Sequence, residues 1–173
     1  MLESIPLLSE IGSINKLEMD GIWSKKIIGK SDVDIAPLIE RLGISDWVNY
    51  GKSLLLQDSE VCSFCQKRTI DRKFREDIEA YFDETFILDS KKLKENSERY
   101  ISIGGNISNQ LVAIIEKEKL SPTKLNLQLF ESNKASLLQL FAHNAEIINN
   151  KSKEPSRCLT LQSSKELIAG TVL

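Results

Sequence analysis

The chain has 173 residues, 41% of them hydrophobic, with 23 Lys and Arg against 25 Asp and Glu. That is enough apolar material for one ordinary domain or two small helical ones without staples, while a formal charge of -2 supplies no general field for DNA or an anionic membrane. No apolar run approaches the roughly 18–20 residues needed to cross a bilayer, the start Met1-Leu2-Glu3-Ser4 lacks a basic region ahead of an apolar one, and three cysteines do not make a secreted disulfide framework; a cytoplasmic chain is expected.

Residues 1–30 are poorly patterned, with short apolar pieces broken by Gly12 and Gly21, and no regular element is predicted there. From Ser31 the signals sharpen into a second segment, 31–66. Ser31 and Asp32 are good N-cap types, Ile35, Leu38, Ile39 and Leu42 recur at helical spacing, and Gly43 stands where a helix stops. A second short helix restarts at Ser45, with Trp47, Gly51, Leu54 and Leu55 along one face, and leads into "CSFC" at 62–65.

The third segment, 67–173, is dominated by long helices. Thr69 is placed to cap a helix whose apolar positions are Ile70, Phe74, Ile78, Tyr81, Phe82 and Phe86. A longer one runs from about Ser90 to Lys119 with Tyr100, Ile103, Ile107, Leu111 and Ile114 on one stripe, the spacing of an antiparallel hairpin or short coiled coil; Gly104-Gly105 inside it predicts a kink or break. A further helix spans about Ser132 to Lys153 and ends before Pro155. "SPTKLNLQ" (121–128) and "EPSRCLTLQ" (154–162) share a Leu-x-Leu-Gln alternation, which predicts two short extended connectors. "SSKELIAGTVL" begins like a capped helix and stops at Leu173, as a truncated piece would. The fold class expected is therefore mostly α: a helical hairpin with a small helical N-terminal part and short extended connectors.

"SKKIIGKS" (24–31) supplies the second half of the phosphate loop G-x-x-x-x-G-K-[ST], but Ser24 stands where the first glycine belongs. No buried strand pattern precedes it, so a polar turn is the expectation and no ATP site is assigned to this chain. His143 is the only histidine and has no second imidazole or nucleophile patterned around it. No catalytic residue is assigned.

Cys62 and Cys65 carry the most specific chemistry. Zinc wants four ligands in a closed site, and the pair offers two. Four readings stand open: an internal site completed by Cys158 and His143, a redox dithiol, half of a zinc site whose other half comes from a second copy of the chain, or two idle thiols. Lys67, Arg68, Arg72, Lys73 and Arg75 flank the pair, but Asp71, Glu76 and Asp77 dilute them, so nucleic acid is not the favoured partner.

Three runs carry a family likeness: Trp47-Val48 with Gly51, Cys62-x-Phe64-Cys65-Gln66, and Lys151 followed by Glu154-Pro155-Ser156. In this order they resemble the helical insert of the large AAA/ABC-type P-loop ATPases grouped with the bacterial anticodon nucleases. The resemblance implies a helical, partly coiled-coil piece between the halves of a nucleotide-binding head, with an ATPase head or another protein as partner. This chain shows no intact Walker A, no Walker B and no Ser-Gly-Gly signature, and it has Ser63 where that family usually has Pro.

Overall fold

A computed structural model describes residues 7–55, 59–120 and 126–172. Seven helices lie among them: α1 Leu7–Glu18, α2 Ala36–Leu42, α3 Ser45–Ser53, α4 Arg72–Tyr81, α5 Glu84–Lys119, α6 Leu127–Lys153 and α7 Lys165–Val172. No strand occurs among the described residues, only a single bridge between Val61 and Arg68. The mostly helical expectation is met.

The frame is the pair α5 and α6. At about 1.5 Å per residue, the 36 residues of α5 reach about 54 Å. Lys119 pairs with Glu131 at 3.0 Å and Ser97 meets Ser152 at 3.4 Å, so the two helices run antiparallel. Their buried positions advance by threes and fours: Leu93, Ser97, Tyr100, Gly104, Ile107, Leu111 on α5 and Leu137, Phe141, Asn144, Ile148, Lys151 on α6. Such a stripe faces a partner helix along its whole length.

Two expectations about α5 need correction. The helix does not break at Gly104-Gly105; it runs unbroken from Glu84 to Lys119, because Gly104 faces the Phe141 ring and Ile14 and packing outweighs the ~1 kcal/mol propensity cost of each glycine. A break falls instead at Phe82, after which Asp83 caps α5 by accepting from the Phe86 amide at 3.0 Å. The cap of α4 is likewise Asp71, which accepts from the Phe74 amide at 2.8 Å, and not Thr69. An aspartate side chain reaches its own third amide ahead and satisfies a donor that the helix leaves orphaned.

Residues 7–30 are also more regular than their pattern predicted; 1–6 lie outside the described residues. α1 packs on α5 and runs against it: Glu10 accepts from Asn106 and Gln110, Glu18 from Tyr100, and Asp20 pairs with Lys92 at 2.9 Å. Ile14 and Leu17 enter the core, and Trp23 is buried with its Nε1 donating to the Leu17 carbonyl at 2.6 Å. α7 packs on α6.

α2 begins at Ala36, not at Ser31 or Asp32, which lie in turns ahead of it. It ends as expected at Gly43, whose φ of 64° lets the Gly43 and Ile44 amides fold back onto the Glu40 and Ile39 carbonyls. Of the two connectors, 154–164 is a strap that turns at 155–157 and has no helix or strand along the rest of its length. Residues 121–125 lie outside the described residues, and 127–128 already belong to α6.

Candidate functional site

The turn between α3 and α4 is a knuckle built around Cys62 and Cys65. The Val61–Arg68 bridge closes its neck, the Cys62 amide donates to the Lys67 carbonyl at 2.8 Å, and the Gln66 amide donates to the Cys62 carbonyl at 2.9 Å. Gln66 takes a left-handed φ of 57° to turn the chain back. Ser63 donates its hydroxyl to the Leu54 carbonyl at 2.9 Å and so ties the knuckle to the end of α3. Gln66 Nε2 in turn donates to the Ser63 carbonyl at 3.0 Å.

This geometry aims backbone N–H groups at one sulfur. The Phe64 amide lies 3.4 Å from Cys62 Sγ, and the amides of Cys65 and Phe64 lower the Cys62 thiol from its ordinary range. Donors that stabilise the thiolate make a better soft-metal ligand and a better nucleophile. Thr69 Oγ1 sits 4.0 Å from Cys65 Sγ. Two thiols thus share one turn, with amides turned toward Cys62 Sγ.

The other sequence candidates stand elsewhere. His143 is on an exposed position of α6, and Cys158 is exposed on the strap. Among the described residues, no three His, Cys, Asp or Glu side chains gather into a group that could hold a metal; the structure brings Cys62 and Cys65 together but does not assemble them with Cys158 and His143. Nor does the knuckle join the two long helices: it lies between α3 and α4, before the hairpin begins.

The knuckle forms one wall of an apolar trough of about 250 Å³ between α2, α3 and α4. Leu38, Ile39, Val48, Phe64, Phe74 and Ile78 are among its lining, with Lys52 as its one charged member. Phe64 rests on Trp47 with ring centroids 5.6 Å apart. Trp47 and Phe64 are 57% and 60% exposed, and Tyr50, three residues further along α3, 66%. Of the helical face read from the sequence, Trp47, Gly51 and Leu55 line this trough and Leu54 is not among its lining, while Ser45 and Val48 are the buried residues of α3.

Gly29-Lys30-Ser31 has a different occupation. A Cβ at Gly29 would fall 2.3 Å from the Tyr81 ring, and the Lys30 amide donates to the Tyr81 carbonyl at 2.8 Å. The glycine lets the 26–30 segment lie flat on an aromatic ring. Lys30 Nζ pairs with Asp32 at 3.0 Å.

Two buried polar centres were not expected from the sequence, where Lys151 figured only as part of a motif. Lys151 is 0% exposed, and its Nζ donates to the carbonyls of Lys25 at 2.5 Å, Pro155 at 2.6 Å and Arg157; burial lowers its pKa, against the opposing pull of Cys158 and Asp46. Glu18 accepts from the Ser164 amide at 2.8 Å, the Ser164 hydroxyl at 3.0 Å and Tyr100 Oη at 3.2 Å. Asn144 links Tyr100 Oη, at 2.8 Å, to the backbone of Gln162. The signal for both was available: Asn144 and Lys151 continue the stripe of Leu137, Phe141 and Ile148 at steps of three and four.

A mostly helical protein organised on one long antiparallel pair, with a cysteine knuckle at the side, is what these elements define. The chain belongs to the family whose model is described as an AAA domain, which matches residues 3–171. Comparison with curated proteins and with solved structures gives no match. No helix among the described residues is long and apolar enough to cross a membrane.

Proposed function

We propose that this chain is the non-catalytic helical insert of an AAA-type ATPase, within the anticodon-nuclease-like grouping its motifs resemble, and that it conveys the motion of a nucleotide-binding head or holds a partner protein. The observation that supports this is the α5–α6 pair with α1 laid along it. A seam packed on both sides moves as a rigid body, and buried hydrogen bonds fix its register: Tyr100 reaches Glu18 on α1 and Asn144 on α6. Side-chain networks of this kind resist sliding, since a shift of one helical turn would leave each buried group unpaired.

The test is ATP turnover by the purified 173-residue chain together with amide hydrogen exchange. The expected result is turnover equal to the buffer background, with amides at the α5–α6 seam exchanging only through global unfolding. Turnover that disappears in Lys30→Ala, or seam amides that exchange as fast as those of α2, would overturn the reading.

A further inference from the structure

We propose that the trough between α2, α3 and α4 is a binding site for one small amphiphile, an unbranched alkyl chain ending in a carboxylate, with the chain in the trough and the carboxylate on Lys52. The form of the cavity carries the first half of this. It encloses about 250 Å³, below the roughly 300–1,000 Å³ of a drug-sized site, and the buried Ile39, Val48 and Ile78 line it. Apart from Lys52, Cys62 and the Trp47 indole, its side chains are hydrocarbon, and at Gly51 there is none. A helix, about 10–12 Å across, is too wide to enter. An extended peptide brings N–H and C=O groups that these side chains leave unpaired. An alkyl chain has no such groups and gains by leaving water for an apolar wall.

The second half is a change of character at one end. A second cavity, of about 380 Å³, adjoins the trough and shares Lys52, Leu55 and Ile78 with it. The rest of its lining is Ser53, Arg75 and Glu79, so two cations there stand against one carboxylate. Lys52 belongs to both cavities. It sits in the last turn of α3, with its ammonium 5.8 Å from the Phe82 ring centroid. Arg72 and Lys73 on α4 are paired with Glu76 and Asp77, whereas among the described residues no carboxylate pairs with Lys52. A lysine that lays its stem along an apolar wall and holds its charge at the edge suits an anion tied to a hydrocarbon chain. The site goes beyond the insert reading and does not depend on it.

The experiment titrates the whole chain at neutral pH with octanoate, nonanoate and decanoate below their micellar range, by calorimetry and by Trp47 emission. One ligand per chain is expected, with affinity rising about fourfold for each added methylene. Lys52→Met keeps an apolar stem and removes the charge; it should weaken decanoate about fivefold or more and leave decanol unchanged. Gly51 lies on the lining stripe of Trp47, Gly51 and Leu55, and a Cβ there meets nothing within 4 Å, so Gly51→Leu fills the trough from within. That variant should lose uptake of decanoate and decanol alike, with circular dichroism checking that the helices remain. No uptake, saturation at several ligands per chain, affinity independent of chain length, equal loss of decanoate and decanol in Lys52→Met, or undiminished uptake by folded Gly51→Leu would each overturn the proposal. So would a dimer that Gly51→Leu returns to monomer, because a second copy then occupies the trough.

Discussion

The two halves of the molecule solve the problem of burial differently. Around α5 and α6 every large side chain on the inner stripe is covered, and the polar ones that remain inside, Lys151, Glu18 and Asn144, have partners on every side. Around α2, α3 and the knuckle, α3 buries only Ser45 and Val48, and Trp47, Tyr50 and Phe64 stand in solvent. The same chain thus covers the inner stripe of its long pair, although Ile87, Leu88, Ile101, Val112 and Leu129 elsewhere on those helices are exposed, and leaves an aromatic patch on α3 and the knuckle uncovered. Interior polar groups with full hydrogen bonding specify a unique arrangement; exposed aromatic ones leave a surface for association.

The sharpest way to test the closed half is Lys151→Met. The methionine matches the stem but removes the ammonium, so the carbonyls of Lys25, Pro155 and Arg157 lose their donor at once. A buried acceptor left unmet costs about 1–3 kcal/mol, and a total loss of about 3 kcal/mol or more is expected, read as a lower urea midpoint at unchanged slope. A loss under about 1 kcal/mol would mean that the strap is held by something else.

Next in size is Gly29→Ala. Its Cβ would overlap the Tyr81 ring at 2.3 Å, and Tyr81 is fully buried with its hydroxyl 3.3 Å from Ser45 Oγ. Overpacking of this kind costs about 1–3 kcal/mol. A variant that melts at the wild-type temperature would show that the 26–30 segment yields easily.

Much of this was legible beforehand. The stripes of Tyr100, Ile107 and Leu111 and of Leu137, Phe141 and Ile148 are long enough for helical periodicity to dominate, and Gly43 marks a stop by a conformation that few other residues tolerate. What was missed had short or mixed signals. α1 has no apolar face strong enough to read alone; its order comes from Glu10, Glu18 and Asp20 meeting partners on α5 that are 72–100 residues away in the chain. Thr69 and Asp71 both qualify as caps by type, and only the backbone path separates them. The CxxC spacing revealed the thiol pair but not the left-handed Gln66 or the amides turned toward sulfur, which are features of conformation.

A subtler probe of the closed half is pH. Burial raises the Glu18 carboxyl above 4.5, although hydrogen bonds from Ser164 and Tyr100 oppose this. The folded chain then holds this proton more tightly than the unfolded one. Its contribution is complete below pH 4.5 and is lost as pH rises through the folded value. Glu18→Gln removes that dependence, so the stability difference between variant and wild type should shift in the variant's favour as pH climbs from about 4.5 and level off above the folded value. Urea midpoints of both proteins across that range measure it, and a constant difference would show that Glu18 titrates normally.

The smallest expected effect concerns the open half, and there smallness is informative. Trp47→Ala removes the largest side chain of α3, which in a filled core would cost about 3–5 kcal/mol. Here the indole is 57% exposed and its ring contact is with Phe64, itself 60% exposed. Substitutions away from buried features stay within about 0.5 kcal/mol, so the metal-free chain should unfold at nearly its wild-type midpoint. A loss above about 2 kcal/mol in that state would make Trp47 a structural residue and close the trough as a surface. A near-zero loss separates a side chain kept at the surface from one kept for the fold, because only the first can be removed without the monomer registering it.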